Sequence, residues 1–594
     1  MKSLKLFNAV LAKKSSSKRH VSERGYVIEP GAVWAKDAII SFYKKEALDG
    51  HDLNQTFHKS WKVIKESARG ELMVHQILHY LSTYGTDFQG DIYIPDEIVK
   101  VPGVKIAFKV VRAYTKEQLT AKALGMLQSG MALQDETIND LLKFLVKDLG
   151  YAFTGKEGIR NKEAIVILAD LYGVIPDDFM GFFRYILFRS TGSALIIKNG
   201  KMIADIKAST YNPELQFVKF GLDRLAANFN RFKPLFLAYK SKCPKIINEI
   251  SRLAKIKHVP MVANPLNLVT QQRLTKADIH WLENATPYAL FKALSALHHR
   301  MNGQSVFMYK VRNGKSWVKE GRGSVMVNHA NYDFLMKYLK GRINLSGKRI
   351  FIPEDIVYAL PTSEKMYVGN IPMGTKFYGD KLAVGIYWKN AWGACDLDLS
   401  GLSADGKTGW NAAYNRGGDN DGLMYSGDIT SAPNGAVEYL YAQKGCPGPT
   451  LVLNNVFSGD DNCSFKIIVG SGDSINKKFM MDPNNLFAEA KVQSVQTQSI
   501  IGLLLPEGKR VSFVLLNFGA GGTQVSGYNE TSTLARVALN QEWSNPLSFN
   551  LVAEELGAQL VTDPKKADID LSLNRLEKDS FIRVFEQNKV EVLA

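Results

Sequence analysis

The hydrophobic period of this chain changes near residue 350, and that change limits its fold more than any other feature. Between about 116 and 345, apolar residues recur at three- and four-residue spacing, as in TKEQLTAKALGMLQSGM, ETINDLLKFLVKDLGYAF and ELQFVKFGLDRLAANFNRFKPLFLAYKS. This spacing predicts amphipathic helices. The short polar or Gly breaks between them predict a helical array or irregular bundle, and no fixed period supports a consensus solenoid. After residue 350 the apolar runs shorten to AVGIYW, CDLDLSG, TLVLNNVFSG, CSFKIIVGSG and RVSFVLLNFG. Gly, Asn, Asp and Pro punctuate them, the pattern of an antiparallel β-sandwich.

The predicted class is therefore multidomain α+β, a mainly α-helical N-terminal array followed by a β-sandwich and a small mixed C-terminal segment. At 594 residues the chain is too long for a single core. The expected divisions are a basic flexible arm (1–25), a mixed helical and strand domain (26–115), a basic helical array (116–345), a sandwich (346–545) and a mixed segment (546–594). Within the second, SFYKKEALDG…LSTYG reads as helix, and DIYIPDEIV and VKIAFKVVRAY read as strands. Around the last boundary, TSTLARVALNQEW at 531–543 and LSFNLVAEELGAQL at 547–560 both read as helices. IYIPDEIV at 92–99 echoes IFIPEDIV at 350–357, an apolar run stopped by proline and two acids. Chance explains eight residues more simply than duplication.

No apolar run reaches the length of a transmembrane helix. LFNAVLA near the start is short, and Lys13 and Lys14 follow it where a cleavage site would lie, so a signal peptide is not expected. The four cysteines lack CxxC spacing. Free thiols in a reducing, cytoplasmic setting are the expectation, and a bridge among Cys395, Cys446 and Cys463 is the alternative.

The net charge of +16 is unevenly placed, and residues 201–320 hold 20 Lys and Arg against 7 Asp and Glu. Such asymmetry suggests an anionic partner. Arg224, Arg231, Lys233, Lys240, Lys242, Lys245, Arg252, Lys255 and Lys257 interleave with Phe217, Phe220, Phe229, Phe232, Phe236 and Tyr239. Cations of this kind make salt-dependent phosphate contacts, and exposed aromatics would stack bases. Aromatics at helical spacing are more commonly core.

Two acidic segments stand out in this basic chain. In CDLDLSG, a strand sets Leu397 and Leu399 on one face and Asp396 and Asp398 on the other. Two aspartates side by side repel unless something positive lies near both. The string is not an EF-hand, since its twelfth position is Lys407. In SGDITSAPNGAVEYLY, Asp428, Asn434 and Glu438 surround a Pro-Asn-Gly turn between strands. These groups offer hard oxygen donors without His, which favours calcium over zinc or copper.

The run VGIYWKNAWGACDLDLSGLSADGKTGWNAAYN…YSGDITSAPNGAVEYLY…FKIIVGSGD resembles the TerD family of tellurium-resistance and stress proteins. The marks are the Gly385–Trp388 strand, Asp396–Asp398, the Ala404–Lys407 turn, Tyr414 with Asn415, and Ser426–Asp428. The resemblance covers about 365–545. It implies a calcium-binding β-sandwich with Asp396, Asp398, Asp428, Asn434 and Glu438 as ligands and Asn415, Asp419 and Asp421 as accessories. The family's acidic run after the Gly-Asp motif is here APNGAVE, which implies weaker binding or one ion in place of two.

Other motifs carry less. GLSADGKT fits the phosphate-loop string, but GWNAAYNRGG follows where a helix is required, so Asp405-Gly406 reads as a hairpin turn. NFGAGGTQVSG likewise reads as a hairpin or bulge. Paired carboxylates near Trp388, Trp392 and Trp410 also allow a carbohydrate-binding or hydrolytic face, although buried core is the commoner fate of tryptophan. His298 and His299 on one helix point about 100° apart and share a metal poorly. The expected protein is a non-enzymatic stress-response binding protein. Its alternatives are an RNA-binding protein using the helical array and a self-assembling phage or particle protein.

Overall fold

Local signals set the helix ends. Thr115 and Gln118 form a reciprocal capping box at the start of helix Lys116–Gln128. Asn161, Asp178 and Asn199 each cap a third-position amide, opening helices Lys162–Tyr172, Phe179–Thr191 and Gly200–Ala208. Gly173 and Gly192 close two of these at φ 69° and 70°, a conformation that favours glycine.

The computed structural model describes residues 2 to 586, apart from short gaps and the longer stretches 56–108, 260–268, 472–480 and 520–542. The IYIPDEIV segment, most of TSTLARVALNQEW and the glycines after Gly519 fall outside the described residues, as do Trp410, Asp419 and Asp421.

Residues 2–14 correct the expectation of a flexible arm. Lys2–Phe7 is a helix and Ala9–Leu11 a strand parallel to Lys109–Tyr114. Leu4, Leu6 and Phe7 are buried, and the Asn8 amide donates to the Leu576 carbonyl at 3.0 Å. The short apolar run is thus core, paired with a strand about a hundred residues further on.

The helical half is largely as its period predicts, with a hairpin of Val306–Lys310 and Ser316–Glu320 inserted. Helices from Lys162–Tyr172 to Pro244–Lys257 close on a core of their own, which includes Phe182, Phe183, Phe217, Phe236 and Tyr239.

The C-terminal half contains two antiparallel sheets packed face to face. Across the first run Gly406–Gly409, Cys395–Ser403, Thr450–Gly459, Gln498–Glu507, Arg510–Gly519, Lys376–Gly379 and Ile356–Val357. Across the second run Asn415–Arg416, Leu423–Tyr425, Ala436–Gln443, Lys381–Trp388, Ser464–Ser471 and Leu486–Gln493. Val384, Ile386, Leu397, Leu399, Leu440 and Phe513 fill the space between the sheets.

The predicted boundaries at 116, 346 and 546 do not separate cores. One cluster runs from Leu6 through Leu141 and Leu294 and across the sandwich to Phe585. IFIPEDIV is divided at its proline. Arg349–Phe351 takes Gln559–Val561 and Ile569–Asp570 as parallel neighbours, while Ile356–Val357 joins the sandwich. LSFNLVAEELGAQL yields helix Phe549–Glu555 followed by strand rather than continuous helix. Fully buried Glu364 fastens three parts together. It accepts from the Gln134 amide at 2.6 Å, the Thr137 hydroxyl at 2.7 Å and the Lys578 ammonium at 2.9 Å. Among the described residues no helix is long and apolar enough to cross a membrane.

Candidate metal centre

Strand alternation aims Leu397 and Leu399 into the sandwich core and leaves Asp396 and Asp398 on the other face. A bulge between Asp396 and Leu397 interrupts the register with Thr450–Gly459. Asp428 comes from the other sheet, three residues beyond the end of Leu423–Tyr425. The structure brings these three together, with one carboxylate oxygen from each within 4.8 Å of the others.

The arrangement is costly without a cation. Two unit charges at this separation repel by roughly 3 kcal/mol at an effective dielectric of 20. Asp398 is 3% exposed. Burial, then Asp428 and Asp396, push its carboxyl up to about 8, against the opposing pull of Lys407. Burial and Asp428 push Asp396 up to about 6, and burial raises Asp428. Burial also carries the Lys407 ammonium down to about 8 despite Asp398. Asp396 Oδ1, Asp398 Oδ2 and Asp428 Oδ1 are each buried without a hydrogen-bond partner. Buried oxygens of this kind ordinarily have partners, and three carboxylates this close, each with such an oxygen, offer a hard-oxygen ligand set to a divalent cation.

Glu438 is not among the three acids that meet, although Asp398 and Asp428 lie near enough to raise its carboxyl further. Glu438 Oε2 accepts from the Leu399 amide at 2.8 Å and the Tyr425 hydroxyl at 2.7 Å, and Oε1 from the Ile429 amide at 2.9 Å. It is fully buried, which raises its carboxyl well above the usual range. Asn434 is exposed on the turn, and its backbone carbonyl accepts from Gln55 at 3.2 Å. Asn415 is exposed.

Sequence reasoning missed one neighbour and offered another only as its alternative. Asn455 lies opposite Asp398 in the sheet and donates to its carbonyl at 3.2 Å. The Asn-Asn pair inside an apolar strand was the available signal. Cys395, next to Asp396, is bridged to Cys463 at the start of a strand in the opposite sheet, with Cα atoms 6.2 Å apart. The free-thiol expectation therefore fails for this pair and holds for buried Cys243 and Cys446. Ala404-Asp405 forms a two-residue hairpin loop, as read, with Gly406 at φ 124°. Trp388 is core and donates its indole N–H to the Cys395 carbonyl.

The nine basic positions of the helical array do not form a base-stacking surface, because Phe217, Phe220, Phe229, Phe232, Phe236 and Tyr239 are all buried. Arg224 donates to the Asp177 carbonyl and covers the Phe220 ring at 4.1 Å, and Arg231 lies 5.1 Å from the Phe232 ring. Lys242 donates to the Lys207 and Ser209 carbonyls, and Arg252 pairs with Glu249. Lys233, Lys240, Lys245, Lys255 and Lys257 are exposed. His298 Nε2 donates to the Asn545 carbonyl at 3.1 Å rather than joining His299 around an ion. No family model, curated protein or solved structure matches this chain.

Proposed function

We propose that the sandwich is a calcium-binding module and that the protein is a non-enzymatic binding protein of the stress-response kind the TerD resemblance implies. Asp396, Asp398 and Asp428 would hold the ion. The observation that supports this most is the convergence of three buried, unpartnered carboxylate oxygens from two different sheets. A divalent ion there relieves their repulsion and ties the Asp396–Asp398 strand to the Asp428 segment. Glu438 positions both from behind, through the amides that follow Asp398 and Asp428. With three carboxylates the site suits one ion.

Thermal melting of the full chain in calcium, magnesium or EDTA tests this reading. Calcium at a hundred times its Kd should add about 2.7 kcal/mol, a rise of about 2 °C for a cooperative unit of this length. The rise should exceed that in magnesium and be lost in Asp396→Asn/Asp398→Asn. Equal melting in calcium and EDTA would overturn it.

A further inference from the structure

A cavity of about 550 Å³ opens at the seam between the helical core and the main core. Arg160, Lys162, Arg184, Arg231 and Arg342 line it, against only two acids, Asp178 and Glu283. Five cations facing two carboxylates leave a strong local positive excess, and a walled cleft focuses such a field on an incoming anion. Even after the two acids are subtracted, an excess of three positive charges remains. Asp178 spends Oδ1 on the Gly181 amide, capping its helix.

The cations on the two walls come from different cores. Arg342 is held by the Leu282 and Ala285 carbonyls, at 3.3 and 2.8 Å, contacts that fix the guanidinium and leave its charge in place. On the opposite wall Arg184 donates to the Ala194 carbonyl. Arg160 and Lys162 are exposed at the mouth. Helices Lys162–Tyr172, Phe179–Thr191 and Pro287–Met301 also begin at this cavity, which adds partial positive charge. The cavity and its cation excess carry the argument without them.

We infer that this seam cavity binds an oligophosphate group, of a nucleotide or of free inorganic chains, with Arg160, Lys162, Arg184, Arg231 and Arg342 as its cationic wall. The size lies within the range of small-ligand sites, and arginines with fixed guanidinium groups suit phosphate oxygens. Of the nine basic positions singled out in the sequence only Arg231 lines this cavity, and its other four cations come from outside residues 201–320.

Calorimetric titration of the full chain with inorganic tripolyphosphate, in EDTA so that the metal centre plays no part, tests this inference. One site per chain is expected, with affinity falling as salt rises. Tripolyphosphate should bind more tightly than orthophosphate. Arg160→Gln/Lys162→Gln, both exposed positions, should weaken binding at least tenfold, while Lys255→Gln/Lys257→Gln leaves it unchanged. ATP competing for the same site would assign a nucleotide, and tripolyphosphate binding without such competition would assign free phosphate chains. Absence of binding would overturn the inference. So would equal losses in the two double variants, or binding of single-stranded RNA that tripolyphosphate does not displace.

Discussion

Glu438 accepts the backbone N–H of Leu399 at 2.8 Å, reaching from one sheet of the sandwich to the other. Its second oxygen takes the Ile429 amide at 2.9 Å. Leu399 follows Asp398 and Ile429 follows Asp428, so one buried carboxylate is hydrogen-bonded beside two aspartates of the proposed metal centre.

Removing that link should damage fold and site together. Glu438→Ala leaves two amides and the Tyr425 hydroxyl without their acceptor. A stability loss of about 2–4 kcal/mol is expected in urea denaturation. Calcium affinity should fall in the fraction that remains folded. Unchanged affinity would show that Glu438 does not position the aspartates.

Asp398→Asn should act in opposite directions with and without metal. Its carboxyl is held up at about 8 by burial and two neighbouring acids, so in EDTA the neutral amide should stabilise the protein by on the order of 1–3 kcal/mol. In saturating calcium the ranking should reverse, since the variant loses a ligand. Melting both proteins in both buffers reads the crossover, and a variant less stable in EDTA would count against strain at the site.

The pH dependence follows from the same shifts. Unfolded aspartate titrates near 3.8, whereas folded Asp396 and Asp398 hold their protons to about 6 and about 8. Through that interval the folded chain binds more protons than the unfolded one. Metal-free stability should therefore fall as pH rises from about 4 to about 8, then level off. Calcium displaces those protons, so its stabilising effect should grow over the same interval. Denaturation midpoints in EDTA and in calcium, taken at each pH, check both slopes.

The Cys395–Cys463 bridge crosses between the sheets beside Asp396. Cys463→Ser should cost about 2–5 kcal/mol, read from guanidinium midpoints. Thiol counting on denatured, unreduced protein should find the two free cysteines, Cys243 and Cys446. Four titratable thiols would refute the bridge.

Much of the sandwich and half of its site were legible because they rest on local pattern. Alternation in CDLDLSG separates the leucines from the aspartates, and Ser-Gly-Asp before a Pro-Asn-Gly turn places Asp428 just after a strand, three residues past its end at Tyr425. The position of Glu438 could also have been read. Val437, Tyr439 and Tyr441 pack outward near Leu53, while Ala436 and Leu440 face the inner core. Glu438 shares the inner parity, where a carboxylate binds backbone rather than solvent or a surface ion. The Ala9–Leu11 strand was hidden for another reason, since its partner Lys109–Tyr114 lies far along the chain and no local period reports it. The seam cavity was equally hidden, because its cations come from four separate segments and meet only when two helical layers pack.

Calorimetric titration of calcium into the full chain, with Asp428→Asn beside it, is the decisive measurement. One calcium per chain is expected, with at least a tenfold loss of affinity in the variant. No binding at millimolar calcium, or binding that Asp428→Asn leaves intact, would contradict the proposed calcium site.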